Sequence, residues 1–318
     1  MRVTVFGCGR WGTFHAWHAD HIGHDVMLWG RPGSKNLQEL QATGRNAYQE
    51  IPASVTLTDD LEKAVRHAEL CLVVVSSQGM RSLLERIRNV EGAAGKVYVL
   101  CMKGLEIETG KRLSEVFCEC MPKTRVAVWV GPGHVQDFLR GIPNCMVIAS
   151  SDAQVTELVI EAMKSPLIRY YYGTDLIGTE LGAAVKNVVG LAAGMLDGFH
   201  YGSLKGALMA RGTKELSRLV EAMGGDRMTI YGLCHLGDYE ATLFSPHSHN
   251  RRFGEDLIRG IPFTKLAEGV HTVRAVMELS KEYHVELPIA RAVYDIVHGG
   301  EDPKTVLTGL FLREQKPE

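Results

Sequence analysis

No run of basic residues is long enough to grip a polyanion, and net charge over the 318 residues is only −2. Neither a nucleic acid nor an anionic membrane surface is therefore the expected partner. No uninterrupted apolar stretch is long enough to span a bilayer, so integral membrane contact is not expected. The first residues lack the positive n-region and apolar h-region of a secretory signal, which makes the cytoplasm the expected compartment. Cysteine is sparse: seven residues, an odd number, with no C-x-x-C spacing, which speaks against a disulfide framework. Cys118-Glu-Cys120 has no second ligand pair. His15, His18, His21 and His24 step by three, so they rotate around a helix, cannot share one face, and read as surface residues. No metal is expected. Repeats and low-complexity stretches are also lacking.

What is present starts at the first residue. Val3 and Val5 alternate in a short β-branched run that breaks into Gly7-Cys-Gly-Arg-Trp-Gly12, and a helix-compatible stretch follows. Strand, G-x-G-x-x-G, helix is the dinucleotide-binding fingerprint. Gly7 would permit the tight turn and Gly9 the approach of backbone N–H groups to a pyrophosphate. Gly12 would let helix and strand lie close, with the phosphate at the helix N-terminus. After the second strand, where an NAD-selective site carries an acidic residue, the chain has Gly30-Arg31. No carboxylate there repels a 2′-phosphate and a guanidinium can pair with it. NAD(P)H is the expected cofactor, with NADP(H) mildly favoured.

A chain of this length exceeds what one core usually serves. Apolar strand candidates recur at 69–76, 96–102, 125–130, 144–149 and 167–172 with helices between them. The pattern predicts a doubly wound parallel sheet, whose ligand sits beyond the carboxyl ends of its strands. From Thr174 onward helical periodicity takes over, in segments 177–199, 204–223, 253–260, 269–283, 287–298 and 303–312. The expected organisation is an α/β dinucleotide-binding Rossmann domain, 1–173, followed by an all-helical substrate domain, 174–318, with a disordered tail from Glu314 to Glu318.

The segment Ile177 to Met195 is rich in small residues and reads as a helix buried nearly all round, yet it carries Lys186 and Asn187. Desolvation lowers a lysine pKa, which suits proton exchange near neutral pH. Asp238 is a carboxylate that can orient such an ammonium, and Thr242 follows it by one helical turn. Ser245-Pro-His-Ser-His-Asn-Arg-Arg-Phe-Gly254 crowds hydroxyl, amide, imidazole and guanidinium groups into what reads as one anion-binding loop.

Taken together, these blocks resemble the bacterial-type NAD(P)-dependent glycerol-3-phosphate dehydrogenases over essentially the whole chain. The matching stretches are Gly7–Gly12 with Thr13, Met102-Lys-Gly-Leu-Glu106, Gly131-Pro132, Glu180-Leu-Gly-Ala-Ala-Val-Lys-Asn-Val188, Gly237-Asp238, Asn250-Arg-Arg-Phe-Gly254 and Glu268-Gly269. The resemblance implies that Lys186 is the proton donor and acceptor. It implies that Lys103, Asn187, Asp238 and Thr242 surround the substrate, with Gly131 and Gly133 beside it. Ser248 and Asn250 would hold the phosphate or its neighbourhood. Arg10, Trp11, Arg31, Val135, Leu266 and Glu268, with Lys103, would line the cofactor. The chain departs from the family at three places. His249 stands where an arginine usually contacts substrate phosphate and cofactor, and offers less charge and no bidentate fork. Gly131-Pro-Gly-His-Val135 loses a hydroxyl at Gly133, and Tyr239-Glu-Ala241 replaces apolar residues.

The expected reaction is hydride transfer between NAD(P)H and dihydroxyacetone phosphate to give sn-glycerol 3-phosphate, a glycerophospholipid precursor, in an enzyme that can form a homodimer. Two other readings fit the same residues. One is a reductase of another small anionic ketone, of the ketopantoate reductase or β-hydroxyacid dehydrogenase type. The other is a non-catalytic nucleotide-binding sensor that kept the fold.

Overall fold

The computed structural model describes residues 1–315. Residues 316–318, most of the tail expected to be disordered, lie outside the described residues. The chain divides into two compact units, Met1–Met102 with Arg112–Leu176, and Lys103–Lys111 with Ile177 onward. The expected single boundary after residue 173 thus shifts by three residues, and one segment changes sides. Leu105 explains the change, because it is fully buried in the apolar core of the helical unit.

The first unit is one eight-stranded sheet flanked by helices. Its strands are β1 (Arg2–Phe6), β2 (Asp25–Trp29), β3 (Thr56–Thr58), β4 (Leu70–Val73), β5 (Val97–Leu100), β6 (Arg125–Val130), β7 (Asn144–Ala149) and β8 (Ile168–Gly173). Its helices are α1 (Arg10–His21), α2 (Lys35–Thr43), α3 (Leu61–His67), α4 (Met80–Ile87), α5 (Leu113–Cys120), α6 (Val135–Leu139) and α7 (Ala153–Met163). Strand order is β3-β2-β1-β4-β5-β6-β7-β8. Successive side chains point to opposite faces, so the apolar strands feed two cores. Val3, Val5, Leu72, Val99 and Trp129 enter one, while Phe6, Val73, Tyr98 and Leu100 enter the other. Chain order reverses beside β1, which pairs in parallel with both β2 and β4. That switch point is where sheets of this kind bind ligands.

Two expectations are corrected here. The sheet is not parallel throughout, because β7 runs antiparallel to β6, from Val128↔Ala149 to Val130↔Val147. The five residues of α6 span only about 8 Å, too little to carry the chain back along a strand about 20 Å long. The chain therefore returns from the end at which β6 finished. His15 and His18 are also not surface residues, being 1% and 0% exposed. Helix α1 buries more than one stripe: the His15 ring lies 4.4 Å from Trp129, and His18 Nε2 is 2.9 Å from Ser165 Oγ.

The second unit is built on α8 (Leu176–Gly198), with α9 (Lys205–Ala222), α10 (His249–Arg259), α11 (Glu268–Glu282), α12 (Pro288–Val297) and α13 (Pro303–Phe311). Every residue of α8 from Gly178 to Leu196 is buried. By length and composition α8 could cross a membrane, but 83% of its apolar window is buried inside the protein. Its small residues admit backbone contact: a Cβ at Gly194 would sit 1.8 Å from the Arg251 carbonyl oxygen, and one at Gly254 would sit 2.1 Å from that of Leu191. Helices α8 and α10 can cross this closely only because both positions are glycine.

Candidate active site

Each unit presents its own set of groups. In the first, the turn after β1 is a cradle whose glycines have different physical roles. Gly7 has φ +124°, and a Cβ there would lie 2.3 Å from Val74 O at the carboxyl end of β4. A Cβ at Gly12 would lie 1.7 Å from Gly7 O, so Gly12 seats α1 against the strand. At Gly9 a Cβ would meet nothing within 4 Å. Gly9 is the N-cap of α1 and no side chain caps the helix. The helix therefore begins beside open space with no side chain capping it, which fits the pyrophosphate of a dinucleotide at its N-terminus. Thr13 pins the turn from inside by donating to Gly9 O at 2.8 Å, and Asn46 donates to Thr13 Oγ1 at 2.8 Å.

Around this cradle, Arg10 stacks over the Tyr48 ring at 5.4 Å, and Trp11 lies edge-on to Phe14 and Phe138. Arg31 is exposed just beyond β2, in the Gly30-to-Ser34 turn, where Ser34 N donates to its carbonyl. Gly131 and Gly133 follow β6, both with positive φ. A Cβ at Gly133 would lie 2.8 Å from the Phe138 ring. The hydroxyl missing at this position is thus excluded by the local packing. Val135, buried, opens α6.

In the second unit, Lys186, Asp238, Thr242, Lys103, Asn187 and Asn250 come together. Lys186 is 5% exposed and Asp238 1%. Asp238 Oδ2 accepts from Lys186 Nζ and, at 2.9 Å, from Lys103 Nζ. Thr242 Oγ1 donates its proton to Asp238 O at 2.7 Å, so it faces Lys186 Nζ as an acceptor, at 3.0 Å. The ammonium thus has two fixed acceptors and keeps one N–H for an oxygen outside the protein. Burial pushes its pKa from 10.5 down to about 7; Asp238 opposes the shift and the Lys103 charge reinforces it. Two cations on one carboxylate leave the cluster net positive when both lysines are protonated, a setting that favours an anion or a developing alkoxide.

The amides complete the frame. Asn187 Nδ2 donates to Lys103 O at 3.1 Å, Asn250 Nδ2 to Asn187 Oδ1 at 3.0 Å, and Gly269 N to Asn250 Oδ1 at 2.9 Å. This chain ties the segment bearing Lys103 to α8, α10 and the start of α11, whose first residue is Glu268. His249 Nδ1 lies 3.1 Å from the carbonyl oxygen of Leu266, itself 52% exposed. The region read as an anion-binding loop is in part a helix start. Ser248 is the N-cap of α10, its hydroxyl accepting from Arg251 N at 3.3 Å. Arg251 is already committed, to Asp197 at 2.7 Å and Glu255 at 2.9 Å.

Sequence reasoning missed the layer behind Asp238. That carboxylate ends a 3₁₀ turn, Leu236–Asp238, and a π-helical turn, Glu240–Phe244, carries Thr242. His235 Nδ1 donates to Gly182 O at 2.9 Å, which leaves Nε2 to accept from Tyr239 OH at 2.6 Å. Burial lowers the His235 pKa to about 4, so the ring is neutral and its tautomer is set by these two bonds. The pair holds the turn against α8 on either side of Asp238. The signal in the sequence was Tyr239-Glu-Ala241 standing where the family resemblance has apolar residues.

Comparison with known proteins agrees with this geometry. The family model for the NAD-dependent glycerol-3-phosphate dehydrogenase N-terminus matches residues 2–156, and that for its C-terminus matches residues 175–308. The chain is 37% identical to glycerol-3-phosphate dehydrogenase [NAD(P)+] of Chlorobium phaeobacteroides, covering 100% of this chain and 99% of the relative. It is 34% identical to the Thermoanaerobacter enzyme of the same name, at the same coverage. Among solved structures, glycerol-3-phosphate dehydrogenase from Coxiella burnetii superposes with a TM-score of 0.91 at 29% identity over 98% of each chain. A ketopantoate reductase-family structure from Ralstonia eutropha, covering 97% of this chain and 99% of its own, reaches 0.62 at 17% identity, a likeness of fold alone. Fingerprint turn, lysine–aspartate cluster and full-length similarity together place the chain in the NAD-dependent glycerol-3-phosphate dehydrogenase family.

Proposed function

We propose that this protein reduces dihydroxyacetone phosphate to sn-glycerol 3-phosphate with NAD(P)H, in the cytoplasm, and that Lys186 delivers the proton. The observation that carries this reading is the buried Lys186 ammonium, aimed by Asp238 and Thr242 with one N–H to spare. When bound, the dinucleotide supplies the hydride. Gly7, Gly9 and Gly12 would hold its pyrophosphate, and Arg10, Trp11, Val135, Leu266 and Glu268 would line it, with Arg31 taking a 2′-phosphate where one is present. Lys186 hands its proton to the ketone oxygen as negative charge develops there. Asp238 stays ionised and holds the ammonium in place, while Lys103 adds positive charge beside it. Asn187 and Asn250 fix the Lys103 segment and each keeps an amide N–H for a phosphate or hydroxyl oxygen. Gly131, Gly133 and His249 complete the substrate set, and Ser248 serves by capping the helix that carries His249 and Asn250.

The test is oxidation of NADH and NADPH with dihydroxyacetone phosphate against a panel of small keto acids. Turnover confined to the phosphorylated ketone is expected. Turnover confined to a keto acid would move the assignment to the ketopantoate reductase type, a reading that His249 favours by removing one fixed charge. Cofactor binding with no turnover on any substrate would support a sensor.

A further inference from the structure

Away from Lys186, the helical unit contains a cavity of about 630 Å³, within the range of small-molecule sites. Helices α8, α9, α12 and α13 enclose it, and it is polarised along its length. Leu204, the N-cap of α9, and Ala207, Leu208, Arg211, Glu215 and Arg218 on one face of that helix line it, so the wall changes from aliphatic to charged over about 21 Å. Helix α12 repeats the gradient in the opposite direction. At its start, Glu215 accepts from Ile289 N and Ala290 N at 2.8 and 2.9 Å, and Arg313 pairs with Glu286 at 3.0 Å. Towards its far end the lining is Ile296, and Leu196 of α8 and Phe199 just beyond that helix also line the cavity.

Among the described residues, the charged end holds one cation, Arg218, with no carboxylate hydrogen-bonded to it, although its charge acts on the nearby Glu215. Arg218 donates to two neutral carbonyl oxygens, Glu286 O at 2.9 Å and Lys214 O at 3.5 Å. Burial raises the Glu215 pKa to about 7, which weakens its repulsion of an incoming anion. The cover is loosely seated: α13 buries none of its residues, and Phe311 is 67% exposed.

We infer that this cavity binds a single-chain amphiphile, with its alkyl chain along α8 and α12 and its anionic head at Arg218. A carboxylate and a phosphate monoester share the recognising chemistry, a bidentate acceptor for a guanidinium. The inference does not depend on the assignment of the reaction.

Calorimetric titration of the intact protein with dodecanoate, dodecyl phosphate and dodecanol, each kept monomeric, tests it. One saturable site is expected for an anion, with the alcohol weaker by about tenfold, the effect of one charge-assisted hydrogen bond. Whichever anion binds more tightly identifies the head group. Arg218→Ala should bring the anion down to the level of the alcohol. Ala292→Trp fills the cavity from α12 and should abolish binding while activity persists. If that variant does not fold, Leu307→Trp on the exposed α13 makes the same test. Equal affinity for alcohol and anions, or binding that survives a filled cavity, would overturn the inference. So would a dimer that binds no amphiphile until Phe311→Arg makes it monomeric, because a second copy would then be the occupant.

Discussion

Lys186 is placed at a cost that only its chemistry offsets, since desolvation of the ammonium outweighs the attraction of Asp238. Replacing it with alanine should lower kcat by ~10²–10⁴-fold, the usual loss on removing a general acid, with NAD(P)H affinity unchanged by fluorescence titration. Near-normal turnover would remove Lys186 from proton transfer. The pH profile carries a sign. Ketone reduction needs the protonated amine, so its rate should fall as pH rises through about 7. Alcohol oxidation needs the free amine and should rise over the same interval. Parallel profiles in the two directions would show that another group titrates. His249 makes a separate prediction. His249→Arg adds a fixed charge and a fork where an imidazole now faces Leu266 O. The KM for dihydroxyacetone phosphate should drop with kcat changed less; an unchanged KM would mean the phosphate is held elsewhere.

At the scale of elements, α8 and α10 cross at a distance set by Gly194 and Gly254, which yields a paired test. Gly254→Ala drives a Cβ to 2.1 Å from Leu191 O and should cost about 1–3 kcal/mol by urea denaturation, as overpacking does. Gly206→Ala in α9 meets nothing within 4 Å and should stabilise by about 0.5–1 kcal/mol through helix propensity. If Gly254→Ala were neutral, the α8–α10 crossing would be looser than a 2.1 Å approach implies. Much of this was legible in the chain. The order strand, glycines, helix announced the cradle, and a lysine inside a small-residue helix announced the cluster, because each violates an otherwise apolar pattern. The start of α10 was not legible: the periodicity begins at Phe253, whereas the helix begins at His249 because Ser248 caps it. Periodicity reports the buried face, and the first turn of a helix need not have one. The antiparallel β7 escaped for a related reason, since a strand's own residues do not encode its direction. The sensing of His15 and His18 as surface residues failed because helical position alone cannot reveal a second burying partner, here Trp129.

Over the whole molecule, the protein keeps three histidines neutral in its interior, His15 at about 3, His18 at about 4 and His235 at about 4, each lowered first by burial. An unfolded histidine takes its proton near 6.5. Below that pH the unfolded chain therefore binds protons that the native state refuses, and stability must fall as pH falls. Each fully resisting histidine contributes about 1.4 kcal/mol per pH unit. Glu215 works in the opposite sense. Its carboxyl, raised to about 7 from 4.5, is protonated in the native state before the unfolded one, so it adds stability as pH falls between those values. Over pH 6 to 4.5 it offsets roughly one histidine, leaving a net loss of about 2.8 kcal/mol per pH unit. Urea midpoints at pH 6.5, 5.5 and 4.5 measure that slope. His18→Gln keeps a partner for Ser165 Oγ but cannot protonate, so it should flatten the slope by about 1.4 kcal/mol per unit. A slope identical to that of the unsubstituted protein would mean that His18 is already charged in the folded state, and the acid sensitivity would then belong to His15 and His235 alone.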